Sequence, residues 1–88
     1  MNEKELEKIF KAFANRRRLL IVKFLKKHKE ASVGEVAREI KLSFKSTSRH
    51  LSVLAGAGIL DREQKSIHMY YSITPTIPEV ARRILTLL

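Results

Sequence analysis

A single, mainly helical domain with one small β-hairpin near its C-terminal end is predicted for this chain, on three observations. Apolar residues recur at helical spacing in five separate stretches between Glu3 and Leu88. The period changes to two only after Gly58, over a stretch long enough for two short strands. The chain has 88 residues, 44% of them hydrophobic and 31% charged, which describes one globular domain near the lower end of self-sufficient cores.

The first helix is predicted over residues 3–14. Leu6, Ile9, Phe10, Phe13 and Ala14 form an i, i+3, i+4, i+7, i+8 stripe, and Glu3, Glu5 and Glu7 lie where the helix dipole favours acids. Asn15 interrupts the pattern and caps a second helix, from Arg16 to His28. There Leu20, Ile21, Phe24 and Leu25 face inward, and Leu19 and Val22 widen the apolar arc, as expected of a central helix contacted on more than one side. Glu30-Ala31 reads as a short link.

Residues 32–58 read as two helices joined by a tight turn. Val33, Val36, Ala37 and Ile40 give the first an apolar side, and Ser32 with Glu35 fits a capping box. Lys41-Leu42-Ser43 breaks the pattern, and Ser43 caps the second helix, which runs to Ala57 and ends at the permissive φ of Gly58. In that helix Phe44, Thr47, Leu51 and Leu54 fall on one face. Lys45, Ser46, Ser48, Arg49 and Ser52 fall mostly on the others.

Ile59–Gln64 is the first predicted strand. In the second, Ile67, Met69, Tyr71 and Ile73 alternate with His68, Tyr70 and Ser72, and the turn near Lys65-Ser66 has no Asn-Gly or Asp-Gly signature. Thr76 with Glu79 reads as a further capping box for a terminal helix from Ile77 to Leu88, with Pro78 in its first turn. The resulting order, α-α-α-α-β-β-α over residues 1–88, is the layout of a winged helix-turn-helix, with the hairpin as the wing.

The net charge of +9 and pI near 10.3 favour a polyanionic partner, nucleic acid or an anionic membrane surface. Lys8 to Lys29 holds nine basic residues and no acid, and no acid stands between Glu39 and Asp61. Short serines let a helix approach a groove and donate to phosphates or base edges, and Lys45 and Arg49 can reach guanine or phosphate oxygens. Arg16, Arg17 and Arg18 could hold phosphates beside that helix, although Arg18 could instead be an internal structural partner. His50 is read as a local hydrogen-bonding and packing residue beside Leu51.

The absence of cysteine excludes disulfides, thiolate metal sites and a cysteine nucleophile. The longest apolar run, Leu19 to Val22, is too short for a bilayer, and the acidic N-terminal segment is not a signal peptide, so a cytoplasmic, nucleoid-associated protein is expected. No paired carboxylates, nucleophile elbow or glycine-rich phosphate loop supports an enzyme, and no cofactor or metal is implied. Ile84, Leu85, Leu87 and Leu88 load a terminal helix so heavily that a symmetric homodimer is expected. Its interface would join helices 3–14 and 77–88 through Leu6, Ile9, Phe10, Phe13, Ile77, Val80, Ala81, Ile84, Leu85, Leu87 and Leu88.

From Leu6 to about Ile73 the chain resembles the ArsR-type (arsenic-repressor) family of small transcriptional regulators. The likeness rests on FKAFANRRRLLIVKFL, on VGEVAREIKLSFKSTSRHLSVLAGAGIL and on MYYSI. The resemblance implies a dimeric DNA-binding regulator, a repressor, on a palindromic duplex site. It maps base reading onto Lys45, Ser46 and Arg49, and phosphate-facing positions onto Ser43 and Ser48; Ser52, on the polar face of the same helix, and Arg16 and Arg17, at a helix N-terminus, are read from their positions as further backbone contacts. It places wing contacts at Arg62 and Lys65. The family's Cys-x-Cys metal pair falls here on Ser32 and Gly34, its terminal-helix metal site has only Glu79, and no glycine stands near the wing tip. No effector is legible. The alternatives are a nonspecific DNA-coating protein and a winged helix that binds protein or RNA. For RNA, Tyr70 and Tyr71 are the only strand aromatics available for stacking.

Overall fold

In the computed structural model, which describes residues 1–88, each of the first four helices is started by an identifiable side chain. Helix α1 (Glu3–Phe13) begins at Asn2, whose side-chain oxygen accepts from the Glu5 N–H at 2.9 Å. Helix α2 (Arg16–Lys27) begins at Asn15 as expected, with Oδ1 accepting from the N–H groups of Arg17 and Arg18 at 3.0 and 3.1 Å.

Helix α3 (Val33–Ile40) carries the expected capping box. The Glu35 N–H donates to Ser32 Oγ at 3.2 Å and the Ser32 N–H to Glu35 Oε1 at 2.8 Å. The Ser32 backbone N–H foremost, and the Ser32 hydroxyl after it, hold the Glu35 carboxyl below its ordinary pKa. The tight turn that follows is built on Lys41 in the left-handed region (φ 57°, ψ 53°), with the Leu42 N–H closing onto the Ala37 carbonyl at 3.0 Å.

Ser43 caps α4 (Phe44–Gly56) through the Ser46 N–H at 3.1 Å. Gly58, at φ 78°, then permits a Schellman closure: Ile59 N–H to Leu54 carbonyl at 3.1 Å and Gly58 N–H to Ala55 carbonyl at 3.0 Å.

The strands are β1 (Ala31–Ser32), β2 (Leu60–Lys65) and β3 (His68–Ile73), antiparallel in the order β1-β3-β2. β2 pairs with β3 from Leu60↔Ile73 to Lys65↔His68, leaving Ser66-Ile67 as a two-residue turn in which Ser66 takes φ 59°. The expected link at Glu30-Ala31 is corrected. Ala31 pairs with Tyr71 and Ser32 with Tyr70, so the hairpin becomes a three-stranded sheet.

The terminal helix also needs correction. It is α5 (Glu79–Leu85), not Ile77–Leu88, and Thr76 does not cap it. A residue before proline is pushed out of helical geometry, which keeps Ile77 outside the helix, and Pro78 itself (φ −57°, ψ 147°) is the N-cap without a side-chain bond. Thr76 instead meets the Thr74 hydroxyl at 3.2 Å. At the other end Lys26 Nζ, from α2, donates to the Leu85 carbonyl at 2.9 Å.

The core lies where α2 meets α3, α4 and the sheet. Ile21, Val22, Val36, Leu51, Leu54 and Ile59 are fully buried there, which explains the broad apolar arc of α2. Three expectations are corrected. Leu20, expected to face inward on α2, is exposed; Ile67, expected in the second strand, is 84% exposed because it occupies the turn; and Phe44, placed on one face with Thr47, Leu51 and Leu54, is 63% exposed because the first turn of α4 projects beyond the core. No helix is long and apolar enough to cross a membrane.

Candidate nucleic-acid interface

With Thr47, Leu51 and Leu54 buried, the 100° step of an α-helix turns Lys45, Arg49, Ser52 and Val53 outward from α4. Phe44 and Ser48 flank this face on the side of the wing, and Ser46 and His50 flank it on the other. Lys45, Arg49 and Ser52 are exposed, whereas Ser46, Ser48 and His50 are half-buried. Lys45 and Arg49 make no hydrogen bond or ion pair through their side chains within the chain, and the same holds for Arg16, Arg17 and Arg62.

On the flank away from the wing, Arg18 resolves the choice left open by the sequence. Its guanidinium donates to the Ala12 carbonyl at 2.7 Å, to the Lys11 carbonyl at 3.0 Å and to His50 Nδ1 at 3.2 Å. It closes the C-terminal end of α1 and ties it to α4, so it is internal. Because a guanidinium only donates, His50 accepts at Nδ1 and carries its proton on Nε2. Burial first, then the charges of Arg18, Arg17 and Arg49, hold the imidazole below its ordinary pKa. His50 therefore has the local role expected of it, bonded to Arg18.

On the wing side, a cleft of about 280 Å³ separates α4 from the hairpin. Phe44, Ser48 and Ser52 form one wall; Arg62, Ile67, His68 and Met69 form the other. Arg62 also borders Ser52 in a second groove, lined as well by Asp61. Lys65, expected beside Arg62 as a free wing cation, is engaged instead. Its Nζ lies 2.6 Å from Glu30 Oε1 and 5.3 Å from the Tyr70 ring centroid. The hydrogen bond to Glu30 is the main cause of the raised Lys65 pKa. Ser43 is the helix cap, with its oxygen accepting a backbone N–H and its hydroxyl proton still available.

The residues expected at a dimer interface separate into two groups. Ile9, Phe13, Ile77, Ala81 and Leu85 are buried in the core of the chain itself and cannot form a surface. Leu6, Val80, Ile84 and Leu88 are half-buried, while Phe10 and Leu87 are 49% and 82% exposed. Met1, Leu6 and Val80 line a shallow apolar groove between α1 and α5.

No group of three or more His, Asp or Glu side chains converges on a point. His28 stacks on Phe24 with ring centroids 4.2 Å apart, and His68 lies edge-on to Tyr70. Sequence reasoning missed three residues at this surface: Phe44, Val53 and Glu30. For Val53 the outward turn of α4 was the available signal, and for Phe44 its place at the very first position of the helix. Glu30 had none, because its partner lies 35 residues away.

Residues 15–62 match the model of the family described as "Bacterial regulatory protein, arsR family". The transcriptional activator HlyU of Vibrio cholerae is 34% identical over 83 residues, covering 86% of this chain and 76% of HlyU. The solved structure of HlyU superposes with a TM-score of 0.81 at 28% identity, over 99% of this chain and 92% of that one. The homodimeric winged helix-turn-helix DNA-binding domain Mb0332 of Mycobacterium bovis superposes with a TM-score of 0.81 at 26% identity, over 96% and 74%. The transcriptional repressor PagR of Bacillus anthracis does so with a TM-score of 0.78 at 30% identity, over 96% and 92%.

Proposed function

Because the chain belongs to the ArsR family of bacterial regulatory proteins, we propose that it is a sequence-specific DNA-binding transcriptional regulator, acting as a repressor, that holds a two-fold symmetric duplex site as a homodimer. The observation that carries this reading is the outer face of α4. It is free of acids, rich in hydroxyls, and bracketed by unpaired arginines: Arg17 on the His50 side and Arg62 on the wing side. Placed in a major groove, Lys45 and Arg49 meet base edges with help from Ser46. Arg16, Arg17, Ser43, Ser48, Ser52 and Arg62 then face phosphates on either side. Lys65 joins them only by leaving Glu30.

The dimer forms through α1 and α5, on Leu6, Phe10, Val80, Ile84, Leu87 and Leu88, with the core residues Ile9, Phe13, Ile77, Ala81 and Leu85 supporting them from behind. The homodimeric Mb0332 domain supports a dimer as such. Two α4 helices related by such an axis sit in successive major grooves, with half-site centres about 34–36 Å apart. Occupying a promoter needs nothing beyond tight binding, which fits the repressor PagR as a relative and a place of work on the nucleoid in the cytoplasm.

Selection of sites from a random duplex library, at fixed salt, tests the reading. A palindromic motif is expected, and Arg49→Ala costs about 1–3 kcal/mol on it while relaxing preference at one position per half-site. If no motif emerged, and Arg49→Ala weakened random DNA as much as the best selected site, the protein would be a nonspecific DNA-coating protein instead.

A further inference from the structure

Phe44 is the first residue of α4 and stands 63% exposed, whereas Thr47 and Leu51, three and seven positions further on the same side, are completely buried. It contributes little to the core that its neighbours build. It has no polar atom with which to hold a phosphate. It projects into the cleft between α4 and the wing, whose opposite wall carries the other strongly exposed apolar side chain of this surface, Ile67. Around this apolar mouth stand hydrogen-bond donors: Ser48, Ser52 and Arg62. The cleft thus sets two exposed apolar side chains beside hydrogen-bond donors, a combination that suits an apolar group on a base next to a sugar–phosphate strand.

The N-terminal residues of a helix seated in the major groove face base edges, and only one unmodified base shows an apolar group there, the 5-methyl of thymine. We propose that Phe44 is a specificity-determining residue that reads thymine, packing its ring on the 5-methyl group of one thymine per half-site while Ser48, Ser52 and Arg62 hold the adjoining phosphates. This rests on the DNA-binding reading above and names one base that the site prefers. Burying one methyl group is equivalent to about a fourfold gain in affinity, and two half-sites of a symmetric dimer multiply to about fifteenfold.

Uracil differs from thymine by that methyl alone and pairs identically with adenine, so it isolates the contact. Fluorescence anisotropy on alternating dA-dT duplex and on its dA-dU twin requires no known operator. Wild-type protein should prefer the methylated duplex by about fourfold or more, and Phe44→Ala should bind both equally with an unchanged unfolding midpoint. Phe44→Leu, which keeps an apolar tip, should retain part of the preference. On a selected site, replacing thymines one at a time should locate the sensitive position in each half. Equal binding of the two duplexes by wild type, or an undiminished preference in Phe44→Ala, overturns the proposal. A preference that depends on Phe44 without any selected palindrome would support thymine reading while overturning the regulator.

Discussion

Removing the Arg18 side chain should unfold the protein more readily without first touching DNA. In Arg18→Ala the Ala12 and Lys11 carbonyls lose donors at 2.7 and 3.0 Å, and His50 Nδ1 loses its donor at 3.2 Å. Hydrogen bonds to charged groups contribute about 1.5–3 kcal/mol each, but the Lys11 carbonyl and His50 lie near enough to the surface for water to replace part of what is lost. The expected cost is therefore about 2–4 kcal/mol, out of a total on the order of 4–13 kcal/mol for a chain of this length. In a domain of this size that corresponds to a fall in Tm of about 10–25 °C. Arg17→Ala is the control: its side chain is exposed and unpartnered, so it should move stability by less than about 0.5 kcal/mol. Urea unfolding of both variants, followed by circular dichroism, makes the comparison. If Arg18→Ala unfolded like Arg17→Ala and lost only DNA affinity, Arg18 would be a phosphate ligand and the clamp would be wrong.

Thr47 is buried with its hydroxyl unpartnered, so Thr47→Val, which keeps the shape, should stabilise the fold by about 1 kcal/mol; a lower urea midpoint at unchanged m would contradict this. The His50 pKa is depressed in the native state, so the unfolded chain binds the extra proton first. Its contribution is fully present above about pH 6.5 and is lost as pH falls toward the native value. His50→Gln should flatten that stretch of the stability–pH curve, and a parallel curve would count against the assignment. Arg62→Ala should lower the log–log salt slope of DNA binding by about one, on specific and random duplex alike. Lys65→Ala should leave the slope nearly unchanged because Glu30 already neutralises the ammonium, and an equal drop would show that Lys65 reaches phosphate.

Most of the fold was legible because it is locally encoded. Asn15, Ser32, Ser43 and Gly58 each mark a helix end within three residues of the groups they satisfy. What stayed hidden is what two distant segments make together. Ala31-Ser32 is too short to show a period of two and is a strand only because Tyr70 and Tyr71 lie beside it. The Thr76–Glu79 spacing imitated a capping box, but backbone sterics before Pro78 override side-chain chemistry. At the candidate site, Lys45 and Arg49 could be identified from helical phase. Phe44 was assigned to the core on the same phase, and only its position at the very end of the helix, beyond the packed layer, places it in solvent. The engagement of Lys65 by Glu30 and of His50 by Arg18 spans more than thirty residues each and has no local signature.

Ser32 belongs to two structures at once: it pairs with Tyr70 in the sheet and caps α3 through its hydroxyl. One peptide unit therefore joins the wing to the helix pair, with no spacer to absorb a change of angle between them. Mechanically this is a caliper of fixed opening. For a DNA reader, a rigid caliper leaves the duplex to do the adjusting. Base pairs that no side chain touches then still matter, because their stacking sets how easily the grooves reach the required width. The operator should accordingly show preferences beyond the positions beneath Phe44, Lys45 and Arg49, strongest at the steps spanned between α4 and the hairpin tip.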